Sequence, residues 1–151
     1  MRNTGEIKLS GLSQNIAWTV HKGAMVAHSL IIFLGYLILR SLLNSNNTAL
    51  MVTPLFYNIT TLIFFHLIVG DPFDSNYGAL SFWEQMVEQI GYRSTTMFFM
   101  VCPIGLFFII NHLVEWNIIM YVLNIISLII VVIAKCGFMH RRRVFGIGRN
   151  K

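Results

Sequence analysis

The stretch "WNIIMYVLNIISLIIVVIA", residues 116–134, contains no Asp, Glu, Lys or Arg. An α-helix rises ~1.5 Å per residue and bilayer hydrocarbon is ~30 Å thick, so about 20 apolar residues reach across it. This run is long enough, and too uniformly apolar for a helix with one wet face. Three more runs match it: Gly23 to about Leu43, Ala49 to Val69, and Thr95 to Val114. Arg40 lies close enough to its end to extend into water. Only 11% of the chain is charged, against about 25% in a soluble domain. The sequence therefore reads as an all-α membrane protein with four transmembrane helices.

The connections pair the spans. "NSNNT" (44–48) separates the first two, and only Asn111, His112, Glu115 and Asn117 mark the boundary between the last two. Such short links predict two antiparallel hairpins. Pro54 falls in the first turn of the second span, where it costs little. Pro103 falls inside the third, has no amide to offer the Phe99 carbonyl, and predicts a kink. "GDPFD" (70–74) closes the second span with Gly and Pro at helix-stop positions. The first 22 residues lack the apolar core of a cleavable leader, so the first span is expected to stay as a signal-anchor.

Charge sets the orientation. With four spans, residues 1–22, loop 70–94 and residues 135–151 share one side and hold ten of the eleven Lys/Arg. Arg40 is alone on the other side. That asymmetry predicts cytosolic termini and a cytosolic middle loop. The chain then divides into a cytosolic N-terminal segment 1–22, a four-span domain 23–134 and a basic cytosolic tail 135–151. The net charge of +5 comes without a basic stripe interleaved with aromatics, which gives no nucleic-acid partner. Membrane lipid is the expected partner of the tail.

One polar interlude breaks the apolar pattern: "SFWEQMVEQIGYR", residues 81–93. Ser81 followed by Glu84 matches a capping box. Trp83, Met86, Val87 and Ile90 recur at helical spacing as one apolar stripe, with Glu84, Gln85 and Glu88 opposite. The pattern predicts a short amphipathic cytosolic helix between spans two and three, apolar side on the membrane and Trp83 at headgroup depth. Its acidic wet face would be repelled by anionic lipid, which favours a protein partner.

Catalysis has little to stand on. His21, His28, His66, His112 and His140 lack the i, i+3 or i, i+4 spacing of helical metal sites. Cys102 and Cys136 suggest packing rather than a disulfide or metal framework. Neither a G-x-S-x-G elbow nor a phosphate-cradling loop is present. No catalytic residue, metal or cofactor is expected. A small oligomeric channel or transporter is the alternative class, but no Asp or Glu lies deep in a span, where ion paths usually need one. What remains is a regulatory membrane subunit. Residues 1–22 are too short to fold alone and carry Asn15 and Trp18 just before the first span. Asn15 also fits a helix N-cap, and Trp18 an interfacial belt.

The motifs "GDPF" (70–73), "FWEQM" (82–86), Pro103, "VLNIISL" (122–128) and "RVFGI" (143–147) occur together with Asn58, His66 and "NIAW…KG" from Asn15 to Gly23. In this combination the chain resembles the Orm/ORMDL family of endoplasmic-reticulum membrane proteins, over nearly its whole length. The resemblance implies a multi-pass protein of that membrane that binds serine palmitoyltransferase, through its large subunits and small activating subunit. It implies inhibition of sphingolipid synthesis when ceramide is plentiful. It places Asn15 at the ceramide headgroup; taken together with the acidic face of the 81–93 helix, it gives Trp18, Trp83, Glu84 and Glu88 as the expected partner interface. Gln14 and Met25 stand where members usually have Pro and Trp.

Overall fold

Two side chains start two of the long helices. Ser45 accepts a hydrogen bond from the Thr48 amide at 3.4 Å, and Asn117 accepts one from the Ile119 amide at 2.9 Å. Each satisfies an amide that the first helical turn leaves without a partner. The computed structural model describes residues 11–139. Its helices are α1 (Gln14–Thr19), α2 (Ala24–Leu42), α3 (Asn46–Leu62), α4 (Phe82–Ile90), α5 (Ser94–Asn111) and α6 (Ile118–Lys135). A π-turn, Ile63–Leu67, continues α3. No strand occurs among the described residues; a single bridge pairs Val69 with Ser81. The expectations for residues 1–10 and for the basic tail from His140 onward lie outside the described residues.

Four helices are long and apolar enough to cross a membrane: α2, α3 with its π-turn, α5 and α6. Their bounds differ from the apolar runs read in the sequence by at most three residues. One consequence of the shifted ends concerns Pro54. Because Ser45 starts α3 at Asn46, Pro54 lies inside the helix and not in its first turn.

The helix α3 is the centre, packing against α2, α5 and α6. Against α6 it makes a polar seam: Asn58 Nδ2 donates to Ser127 Oγ at 3.0 Å, and Asn124 Nδ2 to the Met51 carbonyl at 3.0 Å. In membranes such bonds average about 0.6 kcal/mol, so they fix register more than stability. Against α2, His28 Nε2 and the Tyr57 hydroxyl are 3.0 Å apart. At the far turns Asn47 bonds Glu115 twice: its Nδ2 donates to the Glu115 carbonyl at 2.8 Å, and its Oδ1 accepts from the Glu115 amide at 3.0 Å. The polar link between the first two spans thus also clamps the other pair.

Lys135 departs furthest from expectation. The sequence assigned it to the basic tail; it is the last residue of α6 and fully buried. Its Nζ donates to the Phe99 carbonyl at 2.7 Å and lies 5.3 and 5.6 Å from the ring centres of Phe65 and Trp83. Phe99 is four residues before Pro103, so its carbonyl has no proline amide to accept from. Lys135 supplies the missing donor from another helix, and the two rings attract the cation. A lysine that ends an apolar run usually extends outward. Here an acceptor within reach turns it inward.

This pairing yields a double-mutant prediction. Lys135→Met should cost stability when Pro103 is present and less when Pro103→Ala restores the amide. The expected coupling is about 1 kcal/mol, since an unsatisfied buried group costs roughly 1–3 kcal/mol. Thermal or denaturant unfolding in detergent of the four variants measures it, and zero coupling would remove the proposed role of Lys135.

Candidate functional site

Ser81 opens α4 with both halves of a capping box. Its hydroxyl accepts from the Glu84 amide, and Glu84 Oε2 accepts from the Ser81 amide at 2.9 Å. Gly91, with φ at 66°, ends the helix in a conformation that side chains disfavour. The stripe expected to lie on lipid points into the protein instead. Trp83 (2% exposed), Met86 and Ile90 form a core with Ile16 of α1 and Phe99 of α5. Phe65 stacks at 6.3 Å and 19° to Trp83, and His66 is 5.9 Å from it. Trp83 is therefore buried within the protein and not laid on lipid: the π-turn residues cover it.

The expected wet face is also covered. Glu84 is 7% exposed and Gln85 0%. Gln85 is covered by the loop 70–80, which folds back over it. Gln85 in turn holds the loop: its Oε1 accepts from the Asp71 amide at 2.8 Å, while Nε2 donates to the carbonyls of Asp71 (3.1 Å) and Tyr77 (2.9 Å). This side chain substitutes for the ladder that an irregular segment lacks. Gly70 makes room for it, and Gly78 for the loop's own backbone. A Cβ on Gly70 would collide with the Gln85 carboxamide, and one on Gly78 would meet the carbonyl oxygens of Asp74 and Pro72. Glu88 is half-buried.

The N-terminal segment docks across α4. The Ser13 amide donates to Gln89 Oε1 at 2.9 Å, Gln89 Nε2 donates to Ser13 Oγ at 3.1 Å, and Ile16 is fully buried beneath. Ser13, and not Asn15, is the residue before α1. Asn15 is exposed, and its Nδ2 donates to the Gly70 carbonyl at 3.3 Å. Trp18, three residues on and 49% exposed, lies on the same side of α1. The predicted site residues thus separate: Asn15 and Trp18 remain accessible, whereas Trp83 packs in the core with Ile16 and Glu84 caps α4. Gln85, Gln89 and Lys135 were not singled out by sequence reasoning. The Phe99 carbonyl left by Pro103 was the one available signal, and it points to a donor without naming which.

A second feature is an apolar cavity of about 360 Å³ between α2 and α3. Its lining includes Ile31, Gly35 and Phe64, with His28, Tyr57 and Phe65 also on its wall. Phe65 joins it to the core that holds Ile16. The His28–Tyr57 pair is a polar part of an otherwise largely apolar wall. No group of three His, Cys, Asp or Glu that could hold a metal is found among the described residues.

The sequence pattern of the ORMDL family matches residues 13–143. An uncharacterized protein of Schizosaccharomyces pombe, C119.09c, is 36% identical over 142 residues, 91% of this chain and 76% of that one. Protein ORM2 of Saccharomyces cerevisiae is 32% identical over 136 residues, 87% of this chain and 63% of that protein. ORM1-like protein 3 of Homo sapiens is 32% identical over 102 residues, 65% of this chain and 67% of that protein.

Gln85 is the test of how the site is framed. Gln85→Ala should raise hydrogen exchange at the amides of 70–80 and lower stability by about 1–3 kcal/mol, through the backbone groups it leaves unpaired. Exchange in α6 should stay as it was. Unchanged protection of the loop would mean that Gln85 does not hold it.

Proposed function

Since the chain belongs to the ORMDL family, we propose that it is a non-catalytic subunit of the endoplasmic-reticulum membrane that binds serine palmitoyltransferase and inhibits it in response to ceramide. The four long helices form two antiparallel hairpins, with both termini, loop 70–80 and α4 on the cytosolic side. That places α1 where it can reach the cytosolic part of a membrane enzyme. The observation that carries this reading is the docking of α1: a six-residue helix, too short to be stable alone, is seated by Ser13, Ile16 and Gln89 with Asn15 and Trp18 outward.

The arrangement supports a sensing role in physical terms. Asn15 carries two amide hydrogens and an acceptor oxygen, and one hydrogen is used on Gly70. The remaining capacity suits the hydroxyl and amide groups of a ceramide headgroup, while apolar walls nearby suit its chains. Ceramide then shifts the assembly by linkage: it favours the inhibited state by the ratio of its affinities for the two states. Trp18 and the half-buried Glu88 belong to the surface that meets the enzyme. Trp83 acts indirectly, by packing with Ile16 of α1, and Glu84 by capping α4.

Two measurements test this. Affinity purification of the tagged chain from detergent-solubilised membranes should recover the two large synthase subunits and the small one; their absence would end the proposal. Asn15→Ala should leave that recovery unchanged while reducing inhibition by added ceramide several-fold. An undiminished ceramide response would remove Asn15 from the sensing site.

A further inference from the structure

Phe73 is the most exposed large apolar residue among those described, with 95% of its surface open. A lone exposed apolar side chain is ordinary on a protein surface, but its backbone here is unusually fixed. Asp71 Oδ1 accepts from the Phe73 amide at 3.0 Å. Asp74 Oδ1 accepts from the amides of Asn76 and Tyr77 at 2.8 and 2.9 Å. Asp74 Oδ2 also receives Gln89 Nε2 at 3.4 Å, and that same amide group holds Ser13. Pro72 fixes the preceding φ, and Gly70 and Gly78 permit the close fold-back onto Gln85. A connector between a span and α4 needs none of this. The loop is a pre-ordered mount whose projecting group is an aromatic ring.

We propose that Phe73 is an anchor by which this chain seats in an apolar socket, rimmed by basic side chains, on a partner membrane protein. The inference rests on the reading that the chain works in a complex with the synthase. Charge selects a protein over the bilayer. Asp71 and Asp74 flank the ring, and no Lys or Arg occurs between residues 41 and 92. Two carboxylates beside an inserting ring would be repelled by anionic headgroups, whereas cations around a socket would match them. A rigid aromatic on a fixed turn also loses little conformational freedom on binding, the property that makes such residues dominate interface energetics. Through Gln89 the mount is continuous with α1, so the anchor and the exposed Asn15–Trp18 side belong to one supported unit.

The test uses the full chain co-expressed with the synthase subunits. Phe73→Ser should lower recovered synthase at least tenfold, and Phe73→Leu should keep most of it. Both variants should retain the wild-type elution profile and loop exchange protection, since the ring is almost wholly exposed among the described residues. Full recovery with Phe73→Ser, while the wild type also recovers synthase, overturns the anchor and leaves the proposed function standing. No recovery with the wild type overturns both. In a second arm, Phe73→Trp is placed in vesicles of phosphatidylserine and phosphatidylcholine with brominated acyl chains. Quenching of the added emission would assign the ring to the bilayer and overturn the proposal; unquenched emission is expected.

Discussion

A carbonyl without its helical donor is a serious matter where water is scarce, because nothing else is present to bond it. Pro103 creates such a carbonyl at Phe99, and Lys135 answers it from the end of α6. The answer has consequences for everything near it. The ammonium brings α6 under Phe65 and Trp83, which places the π-turn against α4. The Phe99 ring, held by the same residue, meets His28 at 4.8 Å and Phe65 at 5.4 Å. Four helices and the π-turn are thus registered around one backbone oxygen, and α1 is laid over the result through Ile16.

Much of the fold was legible in the sequence because bilayer thickness acts on length and composition alone. Uncharged runs of about 20 residues declare themselves without any knowledge of neighbours. The capping box at Ser81 was legible for the same reason: it is a local exchange between residues three apart. The facing of α4 was not. Periodicity finds an apolar stripe but cannot tell lipid from protein, since both accept Trp83, Met86 and Ile90 equally. The burial of Gln85 depended on a loop folding back, and that fold-back is written in two glycine clearances that only the three-dimensional path exposes. Lys135 was misassigned because charge counting treats every Lys near a span end as wet. Its partner is 36 residues away.

The site inherits this layering. Residues expected together at an interface divide into a surface pair, Asn15 and Trp18, and a buried set that includes Trp83 and Glu84. The support is polar where it meets the loop and aromatic where it meets the spans. Gln85 and Gln89 do the joining, and each reaches backbone or side-chain groups that no helical ladder would satisfy. A substitution in the buried set therefore perturbs the surface pair by moving its foundation, without touching whatever binds above.

The first long helix stands apart from this economy. Only Ala24 of α2 is buried, and Leu30, Phe33, Leu34 and Ile38 all face outward. Hydrocarbon solvates such side chains about as well as a protein core does, so no transfer energy distinguishes one resting place from the other. In a water-soluble protein the largest aliphatic groups record where a mutation will unfold the chain. Along α2 the map inverts: exchanging one aliphatic for another should leave folding indifferent, and any phenotype that follows reports on what slides against that helix in the plane of the membrane.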